Sequence, residues 1–512
     1  MTEETGTRAR RQVLQTVSGL VVGLFVAVLA GTVVSNALPR ITADLGAGQS
    51  AYTWVITAEL LAMTATVPLW GKLSDLFDKK LLVQLSLVLY VIGSLLAGFS
   101  QNAETLIFSR VVQGMGAGGL TALTQVVLAA VIPPRELGRY NGVFGAVLTT
   151  ATVAGPLIGG VMVDTSWLGW RWCFFFGVPF ALLAIALLQR TLDLPRVPPH
   201  VRRRPEVKID FLGAFLIVGG VSALLIWVSL AGSSFGWLSW ETGALTATGT
   251  LLLATALPVE ARAPEPVVPL DIFRNRTVAL TTVASLLVGV ALFGGTVFLS
   301  QFFQVALVKS PTAAGLMSLP LVLGSLVAST VTGRLVSATG SWKRYLVAGA
   351  ALMTTGLALL STIDATTSLV PLSLFMAVLG TGVGMLTQNL VLAAQNDVRA
   401  ADLGSATSAL SFFRSMGGTI GTSVLGALLA HRVTAELAAS GGTRPEQAYG
   451  AATADLFRCA TPFALLALIA VLFLQEKPLK TTTSTQRLAE EGTEAATTTA
   501  TATATLTKAE PM

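Results

Sequence analysis

The chain has 512 residues, of which 53% are hydrophobic and 12% charged, and its net charge is +6. A chain this apolar, with its charges held in short patches between apolar runs, is a membrane protein. Its basic excess needs no nucleic-acid partner, because loop charge on one side of a membrane accounts for it. Two cysteines, Cys173 and Cys459, are too few for a disulfide framework or a metal site, and His200 and His431 have no companion that suggests a ligand.

A helix needs about 20 apolar residues to cross a bilayer, and backbone polar groups find no partner in lipid unless they pair within the segment. Fourteen runs meet that demand, near 14–38, 51–70, 81–101, 105–132, 140–163, 172–189, 211–231, 242–259, 278–300, 311–333, 345–363, 369–394, 403–430 and 459–474. Arg8, Arg10 and Arg11 precede the first run as in a signal peptide. That run is too long for one, however, and no small-residue cleavage site follows it. With the N-terminus inside, 25 of the 33 basic residues fall on the cytoplasmic side. The positive-inside rule therefore orients the chain with both termini cytoplasmic.

The second span runs into the short charged loop Gly71-Lys72-Leu73-Ser74-Asp75-Leu76-Phe77-Asp78-Lys79-Lys80. Gly71 permits a tight backbone, and Asp75 can sit at a helix N-terminus, where the macrodipole favours a negative group. The fourth span holds Arg110, Gln113, Gly114 and Gly116. An arginine inside the bilayer must face a cavity, a carboxylate or the interface. The fifth span holds Gly155, Pro156, Gly159 and Gly160, with small residues spaced for close helix approach. A Pro- and Arg-rich stretch around 195–205 and a second break near 262–276 divide the spans six, two and six.

The two sixes echo each other. Gly71-Lys72-Leu73 before Lys79-Lys80 is matched by Gly333-Arg334-Leu335 before Lys343-Arg344, and Gly155, Gly159 and Gly160 are matched by Gly417, Gly418 and Gly421. Such correspondence marks a parallel repeat, two six-helix halves around a central site. The chain thus divides into a cytoplasmic N-terminus (1–13), a first bundle (14–190), a linker with two extra helices (191–265), a second bundle (266–480) and a tail (481–512). The tail lacks the bulky apolar residues of a packed core and is expected to be disordered.

The loop after the second span resembles the G-x-L-x-D-x-x-G-R-K loop of the major facilitator superfamily, with Asp78 where glycine is usual. The run through Arg110 resembles that family's R-x-x-Q-G-x-G motif. Gly155-Pro156 with Gly159-Gly160 resembles the G-P-x-x-G-G signature of its exporters, and Trp170-Arg171-Trp172 with Pro179 resembles the fourteen-helix drug:proton antiporters. The resemblance covers roughly 14–475. It implies an all-α polytopic membrane protein of the major facilitator fold, two six-helix bundles plus two extra transmembrane helices. It also implies a conformational latch at Gly71, Asp75, Lys79 and Lys80, and a role in proton movement for Arg110.

One departure stands out. The acidic position that drug exporters carry in their first helix is Ala30 here. Glu59 is the only carboxylate deep in a predicted span, and a buried carboxyl resists ionising. It is the candidate proton carrier, coupled to Arg110. Arg414 is the other deep charge, available to balance Glu59 or a substrate's negative charge. Gln301, Gln304, Gln388 and Asn389 are candidates for a substrate cavity or for joining helices.

The expected function is proton-coupled export of amphipathic drugs, antibiotics or dyes across the plasma membrane, driven by the proton gradient and needing no cofactor or metal. A lipid or glycolipid exporter is the alternative that the missing first-helix carboxylate favours. A membrane-embedded lipid-modifying enzyme lacks a His/Asp or paired-carboxylate cluster within the spans, and a channel fits the two-half repeat less well.

Overall fold

The structure, a computed structural model, describes residues 2–46, 49–138, 168–192, 210–231, 235–309, 311–439 and 445–487, with isolated positions between 140 and 165. The chain folds into helices. In order they are α1 (Thr2–Asp44), α2 (Gln49–Leu76), α3 (Lys79–Gly98), α4 (Ala103–Val131), α5 (Trp172–Phe175), α6 (Gly177–Thr191), α7 (Phe211–Leu230) and α8 (Trp240–Arg262). There follow α9 (Arg276–Val305), α10 (Pro311–Met317), α11 (Leu319–Thr339), α12 (Lys343–Leu360), α13 (Leu369–Asp397), α14 (Leu403–Ala439) and α15 (Pro445–Leu472). Among the described residues, eleven helical segments are long and apolar enough to cross a membrane. The spans expected at 345–363 and 403–430 are helical as α12 and α14, and the one expected at 140–163 lies largely outside the described residues.

Side-chain caps set several helix starts. Asp78 accepts hydrogen bonds from the amides of Lys80 (2.7 Å) and Leu81 (3.3 Å), which satisfies first-turn donors of α3. Asn102 does the same for α4 through the Thr105 amide at 2.8 Å, and Asn275 for α9 through the Thr277 amide at 2.8 Å. α11 stops at Gly340, whose φ of 76° only glycine adopts without strain. The span expected at 311–333 is split at Ser318, just before Pro320, which has no amide proton to continue the ladder.

α3 shows what the surroundings demand. Leu81, Leu85, Val88, Ile92, Leu96 and Phe99 stand exposed at helical spacing, while Ser86, Tyr90 and Ser94 are buried. A water-soluble helix would reverse that pattern; lipid rewards it, and the polar groups turn inward to find partners.

In the first half α2 and α3 pack on α4, and α1 packs on α6; in the second half α9 packs on α14 and α15, while α11 and α12 pack on α13. α7 and α8 form a pair of their own, and α7 docks on α2 and α14. The segment after α15 returns across one end of the bundle, the end that carries Lys72 and Lys343. There the Trp342 indole donates to the Lys477 carbonyl (2.9 Å), Lys477 pairs with Asp397 (2.6 Å), and the Thr485 hydroxyl donates to the Ala130 carbonyl of α4 (3.0 Å). Residues 481–487, expected as the start of a disordered tail, therefore pack against both halves, and Ser484 is buried. Backbone and hydroxyl bonds hold this segment, not an apolar core, so its composition does not reveal it.

Candidate functional site: a buried ion pair and two closing seams

Glu59 sits in the middle of α2 and meets Arg110 of α4 in a buried ion pair. Arg110 is 1% exposed and Glu59 8%. The arginine also donates Nε to the Val55 carbonyl (3.2 Å) and an Nη to the Gln113 side chain, and Gln113 passes the chain on to the Ser94 hydroxyl of α3 at 2.8 Å. The Phe174 ring lies 5.7 Å from the guanidinium. Two charges taken out of water cost several kcal/mol each, so such a pair persists only with its remaining donors satisfied, as they are here. Gly114 makes the approach possible: a Cβ there would strike the Glu59 backbone. On the other side a Cβ on Gly31 of α1 would sit 3.8 Å from the Glu59 carboxylate. Glu59 therefore lies against α1 at Gly31, the residue after Ala30, on the helix that lacks the expected acidic residue.

The repeat shows what the same packing looks like without charge. In the second half Gly380 of α13 meets the Leu321 backbone of α11 as Gly114 meets Glu59. Gly356 of α12 meets Leu379 as Gly93 of α3 meets Gln113. Counted from these contacts, Leu321, Met376 and Leu379 occupy the places of Glu59, Arg110 and Gln113, and all three are buried apolar side chains.

The halves meet at the end carrying Lys72 along two seams. At the first, α2 crosses the start of α14 so closely that a Cβ on Gly71 would collide with Ser408, and one on Gly404 with Ser74 and the Gly71 carbonyl. Here the Asp75 carboxylate accepts from the amides of Gly404 (2.8 Å) and Ser405 (2.9 Å) and from the Ser405 hydroxyl (2.7 Å). A carboxylate at the positive end of a helix adds a charge–dipole attraction to three hydrogen bonds. At the second seam, Gly333 of α11 meets Gly138 carbonyl to Cβ position in both directions. The residue matching Asp75 is Ser337, whose buried hydroxyl has no hydrogen-bond partner.

The remaining predicted residues are dispersed. Lys79 lies near Asp75. Lys80 instead donates to the Gln189 carbonyl at 2.8 Å, so it ties α3 to the end of α6 within one half. Lys72, which was not singled out, pairs with Glu265 at 2.8 Å and anchors the segment after α8 to α2. Gly155 packs on Thr32 and Gly159 on the Val33 backbone of α1; Pro156 and Gly160 lie outside the described residues. Gln388 accepts from Gln125 of α4 at 3.0 Å, a polar link between halves. Gln395 beside it bonds Thr407 at 3.2 Å. Asn389 donates to the Met385 carbonyl at 2.7 Å and leaves its Oδ1 buried without a partner. Gln301 accepts from the Tyr449 hydroxyl at 2.9 Å, and Gln304 bonds Ser300 of its own helix; both glutamines are exposed. Arg414 follows Phe412 and Phe413, whose rings meet edge to face. It does not reach the Glu59–Arg110 pair, which closes on itself.

Gln125, Thr407 and Ser405 carry no sequence signal, being ordinary polar residues until a helix from the other half faces them. Asp78 carried one, an acidic residue directly before a helical run.

A model of the Major Facilitator Superfamily matches residues 20–422. The chain belongs to that superfamily. Members of it are transporters rather than enzymes, and this chain is a multi-pass membrane protein of that kind. It is 33% identical over 424 residues to the multidrug transporter protein MdtP of Bacillus subtilis, covering 83% of this chain and 76% of that one. It is 30% identical over 434 residues to multidrug resistance protein 3 of the same organism, covering 85% of this chain and 83% of that one. An MFS-type transporter of Mycobacterium tuberculosis is 35% identical over 493 residues, covering 92% of this chain and 70% of that one. Among solved structures the proton:xylose symporter XylE superposes with a TM-score of 0.63 at 15% identity, covering 94% of this chain and 99% of that one. That likeness establishes the fold.

Proposed function

We propose that the protein is a proton-coupled exporter of small amphipathic molecules, with fourteen spans and both termini on the cytoplasmic face of the plasma membrane. The observation that carries this reading is the buried Glu59–Arg110 pair in a place where the repeat accepts leucine and methionine. Packing alone does not require it, and intramembrane charges mark ion pathways. Its position against α1 at Gly31, one residue from Ala30, supports Glu59 as the group that takes over the missing first-helix carboxylate. The relatives named for multidrug transport and multidrug resistance support drugs as the cargo class.

In this mechanism a proton reaches Glu59 and neutralises the carboxylate that Arg110 faces. Arg110 keeps its bonds to Val55 and Gln113, but the attraction drawing α4 to α2 weakens. α4 also carries Gln125, bonded to Gln388 in the other half, so a shift of α4 reaches the second bundle. With both seams closed at the Lys72 end, which this reading places on the cytoplasmic side, the conformation described is closed to the cytoplasm. Substrate drives the cycle only through different affinities for its states.

Proton-driven dye uptake into inside-out vesicles, where export runs inward, measured with and without a protonophore, tests the reading. Glu59→Gln is expected to abolish proton-driven efflux while the protein still reaches the membrane, and Glu59→Asp to retain part of it. Unchanged efflux in Glu59→Gln would remove Glu59 from the coupling mechanism.

A further inference from the structure

A second group of acids lies apart from Glu59, where the inserted pair α7–α8 meets α2. Asp210 caps α7: its Oδ1 accepts from the Gly213 amide at 2.7 Å. Glu260, near the end of α8, accepts with Oε2 from the Val268 amide at 2.9 Å. Each carboxyl thus spends one oxygen on a backbone donor. The other two oxygens, Asp210 Oδ2 and Glu260 Oε1, are buried and receive no hydrogen bond. They converge on one spot, for a Cβ on Gly213 would lie 2.2 Å from Glu260 Oε1 and 2.3 Å from Asp210 Oδ2. Glu260 is 4% exposed.

Among the described residues, no charged group donates to either of these oxygens. From α2 Lys72 faces Glu260 and is already paired with Glu265 of the segment after α8. Asp75 of α2 is turned to Gly404 and Ser405. The beginning of α14, from Leu403 to Phe413, carries no charge. Two neighbouring carboxylates in a buried site cannot both stay ionised, and two buried acceptors without a donor cost free energy that one donor would recover. A single proton meets both demands: the protonated carboxyl donates to the ionised one in a short charge-assisted bond.

We propose that Asp210 and Glu260 form a proton-binding site that clasps α7 to α8 and, through the adjoining Lys72–Glu265 pair, holds the inserted helices on α2. One proton is bound when the clasp is closed. Its loss leaves two facing anions, and the inserted pair loosens from the helix that carries the Asp75 latch. A proton bound in the folded protein and released on unfolding makes stability fall as pH rises.

The test uses the full chain in detergent and does not depend on transport. Thermal unfolding is followed from mildly acidic to mildly alkaline pH in the wild type, Glu260→Gln and Asp210→Asn. The wild type is expected to lose a few degrees of melting temperature on going alkaline. Each amide variant, which supplies a permanent donor in place of the proton, is expected to show a flat profile over that range. Infrared spectra should contain a protonated carboxyl band that disappears in Glu260→Gln. Identical pH profiles in wild type and both variants, with the band unchanged, would overturn the proposal. So would restoration of alkaline stability by magnesium or calcium in the wild type alone, because the site would then hold a metal cation instead of a proton.

Discussion

At matching positions the two halves of the molecule are built alike and charged differently. The first half places Glu59, Arg110 and Gln113 where the second places Leu321, Met376 and Leu379, on the same glycine-mediated contacts. At the seams the first half offers Asp75 where the second offers Ser337. The glycine framework therefore shapes the fold, and the charges are an addition to one copy of it. The seams also reveal why the carboxylate works on one side only. Asp75 faces Gly404 and Ser405 in the first turn of α14, whose amides are free to be capped. Gly138 lies inside a helical stretch already under way at 134–138, where the Leu137 amide bonds the Pro133 carbonyl at 3.1 Å. Ser337 meets spent backbone, so a charge there would find no donor.

The strongest way to break this comparison is to impose one half's chemistry on the other. Arg110→Met alone leaves Glu59 buried without its cation and is expected to cost about 3–5 kcal/mol of stability, seen as a large drop in detergent melting temperature. The triple change Glu59→Leu, Arg110→Met, Gln113→Leu copies the second half's residues. It should recover most of that loss, since hydrophobic replacement of a whole buried pair is often neutral, while proton-driven efflux stays absent. A triple variant as unstable as the single one would show that the pair serves the fold.

A smaller effect is expected at the first seam. Asp75→Asn removes the charge and turns a donor toward amides that need an acceptor, at a cost of about 1–3 kcal/mol to the closed seam. Cysteine accessibility at the Lys72 end should rise by an order of magnitude or more, with the melting temperature little changed. The smallest is Ser337→Ala. Its hydroxyl is unpartnered, so accessibility and efflux should stay within about twofold of wild type, a stability change under ~0.5 kcal/mol. A large loss in Ser337→Ala would mean the second seam also depends on a polar contact.

Much of this was legible without coordinates. The apolar runs dictate helices because lipid offers backbone groups no partner. The Gly71 and Gly333 loops announce the repeat, and Glu59 and Arg110 stand out because charge in a span is costly. Other features stayed hidden for a common reason. Gln125 with Gln388, Asp75 with Ser405, and Thr485 with Ala130 are each pairs of ordinary polar residues far apart in the chain.

The amino-acid order alone determined that the chain is helical, membrane-embedded and duplicated, since hydropathy and glycine spacing act locally along each helix. Only the tertiary structure decided which charges meet. Glu59 chose Arg110 and left Arg414 apart, Lys80 turned to its own half, and Asp210 came to face Glu260. Those outcomes depend on how helices rotate and approach when their glycines interlock, and no single segment carries that information.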